Sequence, residues 1–200
     1  MILSDNLFSS QRLLLLDALS RAFFGFSIII IISWVWGFEL LSIYGSALVS
    51  GGFLWLVGSL QYEKSILNKN YSNFCNFLKS ILLRSLFFIC IVVVVFCLFY
   101  KHLNYLEYTL IFCMSLFWQF LDGFLKSRGI FSKPSLIKFY VRSIFFILKI
   151  YVIINYELIH LFLVIALEGV LIFLALLNVC KNSFKENSLN ANNSNSSYSS

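Results

Sequence analysis

Long apolar runs separated by short polar segments dominate the chain. A helix of about 20 mainly apolar residues crosses the roughly 30 Å hydrocarbon core of a bilayer. Runs of about this length recur through residues 1–180, and we expect each to form one membrane-spanning helix. With ends defined to about two to four residues, the six predicted spans are Ala22–Phe38, Leu40–Leu60, Ile81–Tyr100, Tyr108–Leu125, Leu136–Ile154 and Leu158–Leu177.

The composition agrees with a membrane protein and excludes most soluble classes. Of the 200 residues, 60% are hydrophobic and 12% are charged, whereas soluble domains are about half apolar and about a quarter charged. We therefore expect an all-α polytopic membrane protein, a six-transmembrane-helix bundle. Its five cysteines form no CxxC pair, which predicts neither a zinc site nor a disulfide framework.

Basic residues are distributed unevenly across the two sides of this six-span topology. All 15 Lys and Arg except Lys101 and Lys149 fall on the side of the termini and of the second and fourth loops, with Arg84, Lys138 and Arg142 in the span ends next to those loops. By the positive-inside rule, both termini are predicted to be cytoplasmic. The net charge of +6 then reflects membrane orientation, and we expect no nucleic-acid partner. Trp and Tyr are predicted to form a belt at the outer interface, made of Trp34, Trp36, Tyr100, Tyr105, Tyr108, Tyr151 and Tyr156.

The composition changes abruptly at Lys181. Residues 181–200 are mostly Asn and Ser, and such a segment buries too little apolar surface to offset the entropy of an ordered backbone. We expect two parts: a transmembrane bundle over residues 1–180 and a disordered cytoplasmic tail over residues 181–200.

Charged side chains inside the predicted spans cost at least about 2.5–3.5 kcal/mol each on insertion scales, so each needs a specific reason. Lys138, Arg142 and Lys149 are spaced i, i+4, i+11, which places all three on one side of the fifth span. The antiparallel sixth span brings Glu168 to a similar depth, within reach of Arg142 or Lys149. Two interpretations remain open. In the first, Lys138 and Arg142 extend to the inner headgroups, and Lys149 extends outward or is neutralised by Glu168. In the second, the basic groups line a water-filled cavity for an anionic headgroup.

Asp122, near the inner end of the fourth span, is four residues before Lys126. This spacing favours a local ion pair over a role in transport. The segment from Asp122 to Arg128 is similar to the start of a phosphatidyltransferase signature, but the further aspartates that would hold divalent metals do not follow. We expect no metal, no cofactor and no enzymatic activity, since neither a nucleophile triad nor a phosphate-binding Gly-rich loop is present.

Small residues recur at helical spacing in the second span, with Gly45, Gly52 and Ser59 seven apart and Gly51 and Gly58 beside them. Small side chains allow helix backbones to approach closely in lipid. We interpret this series mainly as a packing surface, and secondarily as a place where the helix can bend.

One stretch carries a resemblance to a known family. Residues 60–66, Leu-Gln-Tyr-Glu-Lys-Ser-Ile, follow the second span and resemble the Arg-Tyr-Glu-x-Ala-Ile of polysaccharide exporters that flip lipid-linked O-antigen and capsule units; Gln61 and Ser65 depart from it. Two further regions also look like that family: the first hairpin, with Arg21, Phe38–Tyr44 and Gly45, and the region Gln119–Lys149. The likeness covers Ser20–Lys181.

The resemblance implies a flippase of the multidrug/oligosaccharidyl-lipid/polysaccharide superfamily in a bacterial inner membrane. Its substrate would be an undecaprenyl-pyrophosphate-linked oligosaccharide. Family members have about twelve spans in two bundles around a cationic cavity, so this chain corresponds to the amino-terminal half. Three possibilities for this chain remain open: a truncated remnant, a half-transporter that pairs with a second half or a second copy, and a different small membrane protein.

These considerations define a candidate site. Arg142 and Lys149 are the expected phosphate-binding groups, Arg21 and Arg84 assist on the cytoplasmic side, and Glu168 is a charge partner or proton site, with Asp122 as a further candidate. The alternative is a six-helix binding or immunity-type membrane protein that transports nothing and has no polar cavity.

Overall fold

The computed structural model describes residues 2–59, 74–83, 90, 94 and 106–196, and the regular structure in these residues is entirely α-helical. The predicted all-α class is therefore confirmed. The helices are α1 (Ile2–Val35), α2 (Gly37–Ser59), α3 (Phe74–Leu83), α4 (Leu106–Ser115), α5 (Trp118–Ser127), α6 (Ser132–Asn155) and α7 (Leu158–Ser196).

Four helical segments of the described part are long and apolar enough to cross a membrane: Arg12–Val35, Gly37–Leu56, Leu106–Ser127 and Leu158–Lys185. They correspond to the first, second, fourth and sixth predicted spans. Helix α6 matches the predicted fifth span in position, but it carries four basic residues and is not one of these four segments. Most of the predicted third span lies outside the described residues.

The first apolar span begins ten residues earlier than predicted, at Arg12 instead of Ala22. A run of four leucines, residues 13–16, precedes Asp17, and a helix that is already formed extends through such residues without a new nucleus. The consequence is that Asp17 lies inside a membrane-length helix.

Two glycines with positive φ allow the helices to reverse direction tightly. Gly37 has φ +79° and separates α1 from α2, and Gly129 has φ +73° between α5 and α6. After α5, the Gly129 N–H donates to the Lys126 carbonyl at 3.0 Å and the Ile130 N–H donates to the Leu125 carbonyl at 3.0 Å. This pair of bonds is a Schellman motif, which needs a left-handed residue at the glycine. It turns the chain directly from α5 into α6.

The helices pack around two apolar clusters. Helix α1 packs on α6 and α2, α6 packs on α7, and α7 also contacts α4 and α5. The first cluster centres on Phe77, Phe124 and Leu176, and the second on Ile32, Phe162 and Ile165. Large apolar side chains also cover the outside of the bundle, for example Phe26 and Ile147, which are 65% and 70% exposed. An apolar exterior of this kind suits a lipid environment.

Close helix contacts involve one glycine of the predicted series, Gly51, and one outside it, Gly169. A Cβ on Gly51 would lie 2.9 Å from the Thr109 carbonyl oxygen of α4, whereas Gly45 and Gly52 meet no described residue within 4 Å. A packing role for Gly45 and Gly52 remains a prediction. Gly51 lies on the face that meets α4, and Gly169 of α7 similarly lies directly against the backbone of Ser115.

Helix α7 continues through Ser196, and so includes most of the Asn- and Ser-rich segment for which the composition predicts disorder. A helix that continues from an apolar span avoids the cost of nucleation. The disorder predicted for residues 181–200 remains a prediction, and hydrogen exchange tests it below.

Candidate functional site

A buried network of ion pairs joins α1, α5 and α6. The Lys138 ammonium of α6 lies 2.9 Å from Asp17 Oδ2 of α1 and 2.8 Å from Asp122 Oδ1 of α5. The Arg142 guanidinium, one turn further along α6, donates to the other carboxylate oxygen of Asp17. Lys138 is fully buried and Arg142 is 8% exposed, so both cations find their counter-charges inside the protein.

Two more basic groups flank this network. Arg21 Nη2 lies 3.8 Å from Asp17 and Lys126 Nζ lies 2.8 Å from Asp122, and both basic side chains are about half exposed. The predicted Asp122–Lys126 pair is therefore confirmed. Among the described residues, four basic side chains share these two carboxylates. The network keeps a net positive charge.

Trp118, the first residue of α5, contributes an aromatic face to the same cluster. Its ring centroid lies 5.3 Å from the Arg142 guanidinium, 5.7 Å from Lys138 Nζ and 6.0 Å from the Arg21 guanidinium. Cations within about 6 Å of an indole face are attracted by its quadrupole. Because Trp118 is buried, it stabilises the positive groups without neutralising them.

A second ion pair lies about two turns deeper along α6. The Lys149 ammonium donates to Glu168 of α7, and both side chains are less than one-fifth exposed. Helix depth alone predicts Glu168 within reach of either Arg142 or Lys149, and in the structure its partner is Lys149. Arg142 pairs with Asp17 instead.

These groups border one cavity of about 330 Å³ that is partly open to the outside of the bundle. Its charged lining consists of Arg21, Arg142, Lys149 and Glu168, and Trp118, Gln119 and Tyr44 add aromatic and amide groups. Apolar residues from both packing clusters complete the wall, including Ile28, Ile165 and Ile172. The volume lies at the lower end of the roughly 300–1,000 Å³ of small-molecule pockets.

An interruption in the fourth span forms part of this wall. Helices α4 and α5 are separated at Leu116 and Phe117, whose N–H groups donate to carbonyls three residues earlier. The Ser115 hydroxyl donates to the Phe112 carbonyl at 2.6 Å, a bond that satisfies one backbone oxygen at the break. Ser115, Leu116 and Gln119 line the cavity. Non-helical backbone at membrane depth is typically tolerated where protein buries it or where it borders a cavity.

The cavity therefore brings together most of the predicted site residues. Arg142, Lys149, Arg21 and Glu168 line it, whereas Asp122 lies outside the lining in the adjoining ion-pair network. Arg84 lies outside the described residues, as does the Leu60–Ile66 stretch that carries the family resemblance.

One of the two interpretations of the charges is wrong. Lys138 and Arg142 do not extend to the headgroups, because both are buried and paired with carboxylates. Asp17, Asp122 and Glu168 supply the carboxylates of the α6 cations in the described part of the chain.

Sequence reasoning missed Asp17 and Trp118. Asp17 could have been found as the acidic residue four positions before Arg21 within an otherwise apolar segment, a spacing that pairs side chains on a helix. Trp118 has no comparable sequence signature, since its place among the cations depends on how α5 packs against α1 and α6.

The described residues form an α-helical fold with a charged internal cavity, and four of its helical segments are long and apolar enough to cross a membrane. Within the described ranges, no group of three or more His, Cys, Asp or Glu side chains could hold a metal ion. No family model, no curated protein and no solved structure matches the chain.

Proposed function

We propose that this protein is a flippase-like membrane transporter whose cavity binds the anionic headgroup of a lipid-linked oligosaccharide. The observation that carries the proposal is the convergence of Arg21, Arg142 and Lys149 on one cavity between membrane-length helices. The particular substrate, an undecaprenyl-pyrophosphate-linked oligosaccharide, comes from the resemblance to polysaccharide exporters. Ionisable groups inside a membrane bundle typically mark a substrate or ion pathway.

The balance of charge supports an anionic ligand. Four basic side chains around Asp17 and Asp122 keep net positive charge beside the cavity, and guanidinium groups bind phosphate oxygens in a fork geometry. A phosphate entering the cavity competes with Asp17 for Arg142 and with Glu168 for Lys149. Such an exchange of partners lets the cations stay neutralised both with and without substrate.

The finer topology belongs to the same proposal. We place α6 and the residues around Ile81–Tyr100 in the membrane as the fifth and third spans, with both termini in the cytoplasm of a bacterial cell and the bundle in its inner membrane. The pairing of α6 charges with α1, α5 and α7 supports α6 as a span, because these pairs offset the cost of its basic residues. A second six-helix half or a second copy of the chain would complete a twelve-span transporter.

The test is binding of soluble pyrophosphate to the full chain in micelles by titration calorimetry. We expect Arg142→Gln and Lys149→Gln each to weaken binding about tenfold or more, because a hydrogen bond to a charged group contributes about 1.5–3 kcal/mol, and the double variant to abolish it. Lys133→Gln, an exposed change outside the cavity, is the matched control and should leave binding unchanged. Thermal unfolding of each variant verifies folding.

Transport itself is followed as surface glycan in cells that depend on this chain. Loss of export with Arg142→Gln/Lys149→Gln, while the variant remains inserted, supports the proposal. Full export by that variant, or equal pyrophosphate affinity in all variants, contradicts it.

One observation favours the alternative of a binding or immunity-type membrane protein without transport. Lys138, Arg142 and Lys149 each already have a carboxylate partner, as expected of charges that only hold helices together. Water access distinguishes the two functions. In a background without the native cysteines, Gln119→Cys should react with a charged, membrane-impermeant thiol reagent in a transporter, and should stay unreactive if the cavity is dry.

A further inference from the structure

A second concavity lies on the outside of the bundle, between α1 and α6. It is an open groove of about 500 Å³ lined mainly by Leu15, Leu16, Leu19 and Phe23 of α1 and by Phe139 of α6. Leu15, Leu19 and Phe23 are each 60% or more exposed. In a membrane these side chains face lipid.

The walls of the groove offer almost nothing to a polar ligand. The Ser20 hydroxyl, which borders the groove, donates to the Asp17 carbonyl at 2.9 Å and is thereby satisfied within α1. The charged exception is Arg12, at one end. This is the pattern of a site for an amphiphile, with a long apolar trough and a cation at one end.

The dimensions fit one leaflet of a bilayer. Arg12 and Phe24 border the groove at its two ends along α1, and the twelve-residue separation corresponds to about 18 Å at ~1.5 Å per residue. One leaflet contributes about half of the roughly 30 Å hydrocarbon thickness. A chain that starts at the headgroup level near Arg12 therefore reaches the bilayer midplane near Phe24.

The lining also argues against a second helix as the occupant. Helices that associate in lipid typically meet through small residues that let the backbones approach. This groove instead presents leucine and phenylalanine side chains along most of its length, which keep a neighbouring backbone at a distance but leave room for a flexible hydrocarbon chain.

We propose that the groove binds one hydrocarbon chain of an anionic phospholipid of the cytoplasmic leaflet, with the lipid phosphate on Arg12. Anionic lipids are concentrated in that leaflet and attract basic residues at its surface. The site does not depend on transport, but it rests on the cytoplasmic position of the amino terminus proposed above. It does adjoin the cavity, because Phe24 lines both the groove and the cavity and its ring stacks on Phe146 at 4.7 Å.

The test uses the full chain in vesicles of phosphatidylcholine and phosphatidylglycerol, with a photo-crosslinking amino acid in place of Leu16. The matched control carries it in place of Ile144, an exposed residue of α6 outside the groove. We expect adducts at position 16 to be enriched about fivefold in phosphatidylglycerol relative to position 144, the ratio that corresponds to about 1 kcal/mol for one basic residue at an anionic surface. Arg12→Gln should remove the enrichment.

Equal lipid ratios at positions 16 and 144 would overturn the proposal, as would an enrichment that survives Arg12→Gln. Adducts between two protein chains at position 16 would overturn it too, since they would identify the groove as a helix–helix contact. Pyrophosphate binding in the cavity is measured separately, so failure of the lipid site leaves the proposed transport function standing.

Discussion

Removing the Asp17 carboxylate should destabilise the protein more than removing any other charge of the network. Asp17 contacts Arg142, lies 2.9 Å from Lys138 and 3.8 Å from Arg21, and is only 4% exposed. Asp17→Asn keeps the shape of the side chain and deletes its charge. Arg142 then has no carboxylate within 4 Å among the described residues, and Lys138 retains only Asp122.

The magnitude follows from the burial of these partners. Removing one member of a buried ion pair costs about 3–5 kcal/mol, because the remaining charge stays buried without compensation. Asp17→Asn takes a carboxylate away from two buried cations at once, Arg142 and Lys138. Because Lys138 keeps Asp122 as a second carboxylate, we expect the free energy of unfolding to fall by about 3–5 kcal/mol in total. Arg21 contributes little to this sum, since an exposed pair is worth about 0–1 kcal/mol.

The assay is unfolding of the purified chain in detergent micelles, followed by circular dichroism. Arg21→Gln is the matched control, because it removes an exposed member of the same network and should cost less than about 1 kcal/mol. A double-mutant cycle between Asp17→Asn and Lys138→Met should give a coupling energy of about 1–3 kcal/mol.

Two results would refute this reasoning. One is Asp17→Asn unfolding at the same point as Arg21→Gln, which would mean that the Asp17 carboxylate does not hold α1 to α6. The other is a coupling energy near zero, which would mean that Asp17 and Lys138 act independently.

Three further predictions concern the remaining features. Gly169→Ala should destabilise by about 1–3 kcal/mol, because a new Cβ overlaps the Ser115 backbone. Gly52→Ala, whose new Cβ meets no described residue within 4 Å, should stay within about 1 kcal/mol of the parent in the same unfolding assay. Glu168→Gln should destabilise the protein, because Lys149 stays buried without its carboxylate partner. The double variant Glu168→Leu/Lys149→Met should recover most of this loss, since apolar replacement of a buried ion pair is often neutral. A double variant less stable than both single variants would contradict this. If the Asn- and Ser-rich tail frays as its composition predicts, amide hydrogen exchange should be slow through Cys180 and complete at the earliest times over residues 187–196. Protection of residues 187–196 as strong as in the preceding apolar part of the helix would show that the helix persists.

The sequence predicts the coarse architecture well because long apolar runs have few structural solutions in a membrane. Helical class and four membrane-length segments follow from run length alone. The error at the start of α1 shows the limit: Asp17 and Arg21 interrupt the apolar run, and the sequence does not reveal that partners on α6 make those interruptions tolerable.

The site was predicted in part for a similar reason. Spacing places Lys138, Arg142 and Lys149 on one face of α6, and the local Asp122–Lys126 pair follows from i, i+4 geometry. The partners of Arg142 and the position of Trp118 depend on the packing of α1 and α5 against α6, which is long-range information. Glu168 was placed at the correct depth, but helix rotation decides between Arg142 and Lys149, and depth alone does not determine rotation.

The interruption between α4 and α5 divides one membrane-length segment, Leu106–Ser127, into two shorter helices that can tilt independently. A continuous helix carries a tilt from one end to the other, whereas a crossing with a turn at Leu116 and Phe117 allows its halves to pivot separately. The half with Trp118 and Asp122 belongs to the charged network, and the half with Thr109 and Ser115 is fixed against glycines of its neighbours. Rearrangement of the charges can therefore move the half with Trp118 and Asp122 while the half with Thr109 and Ser115 stays in place.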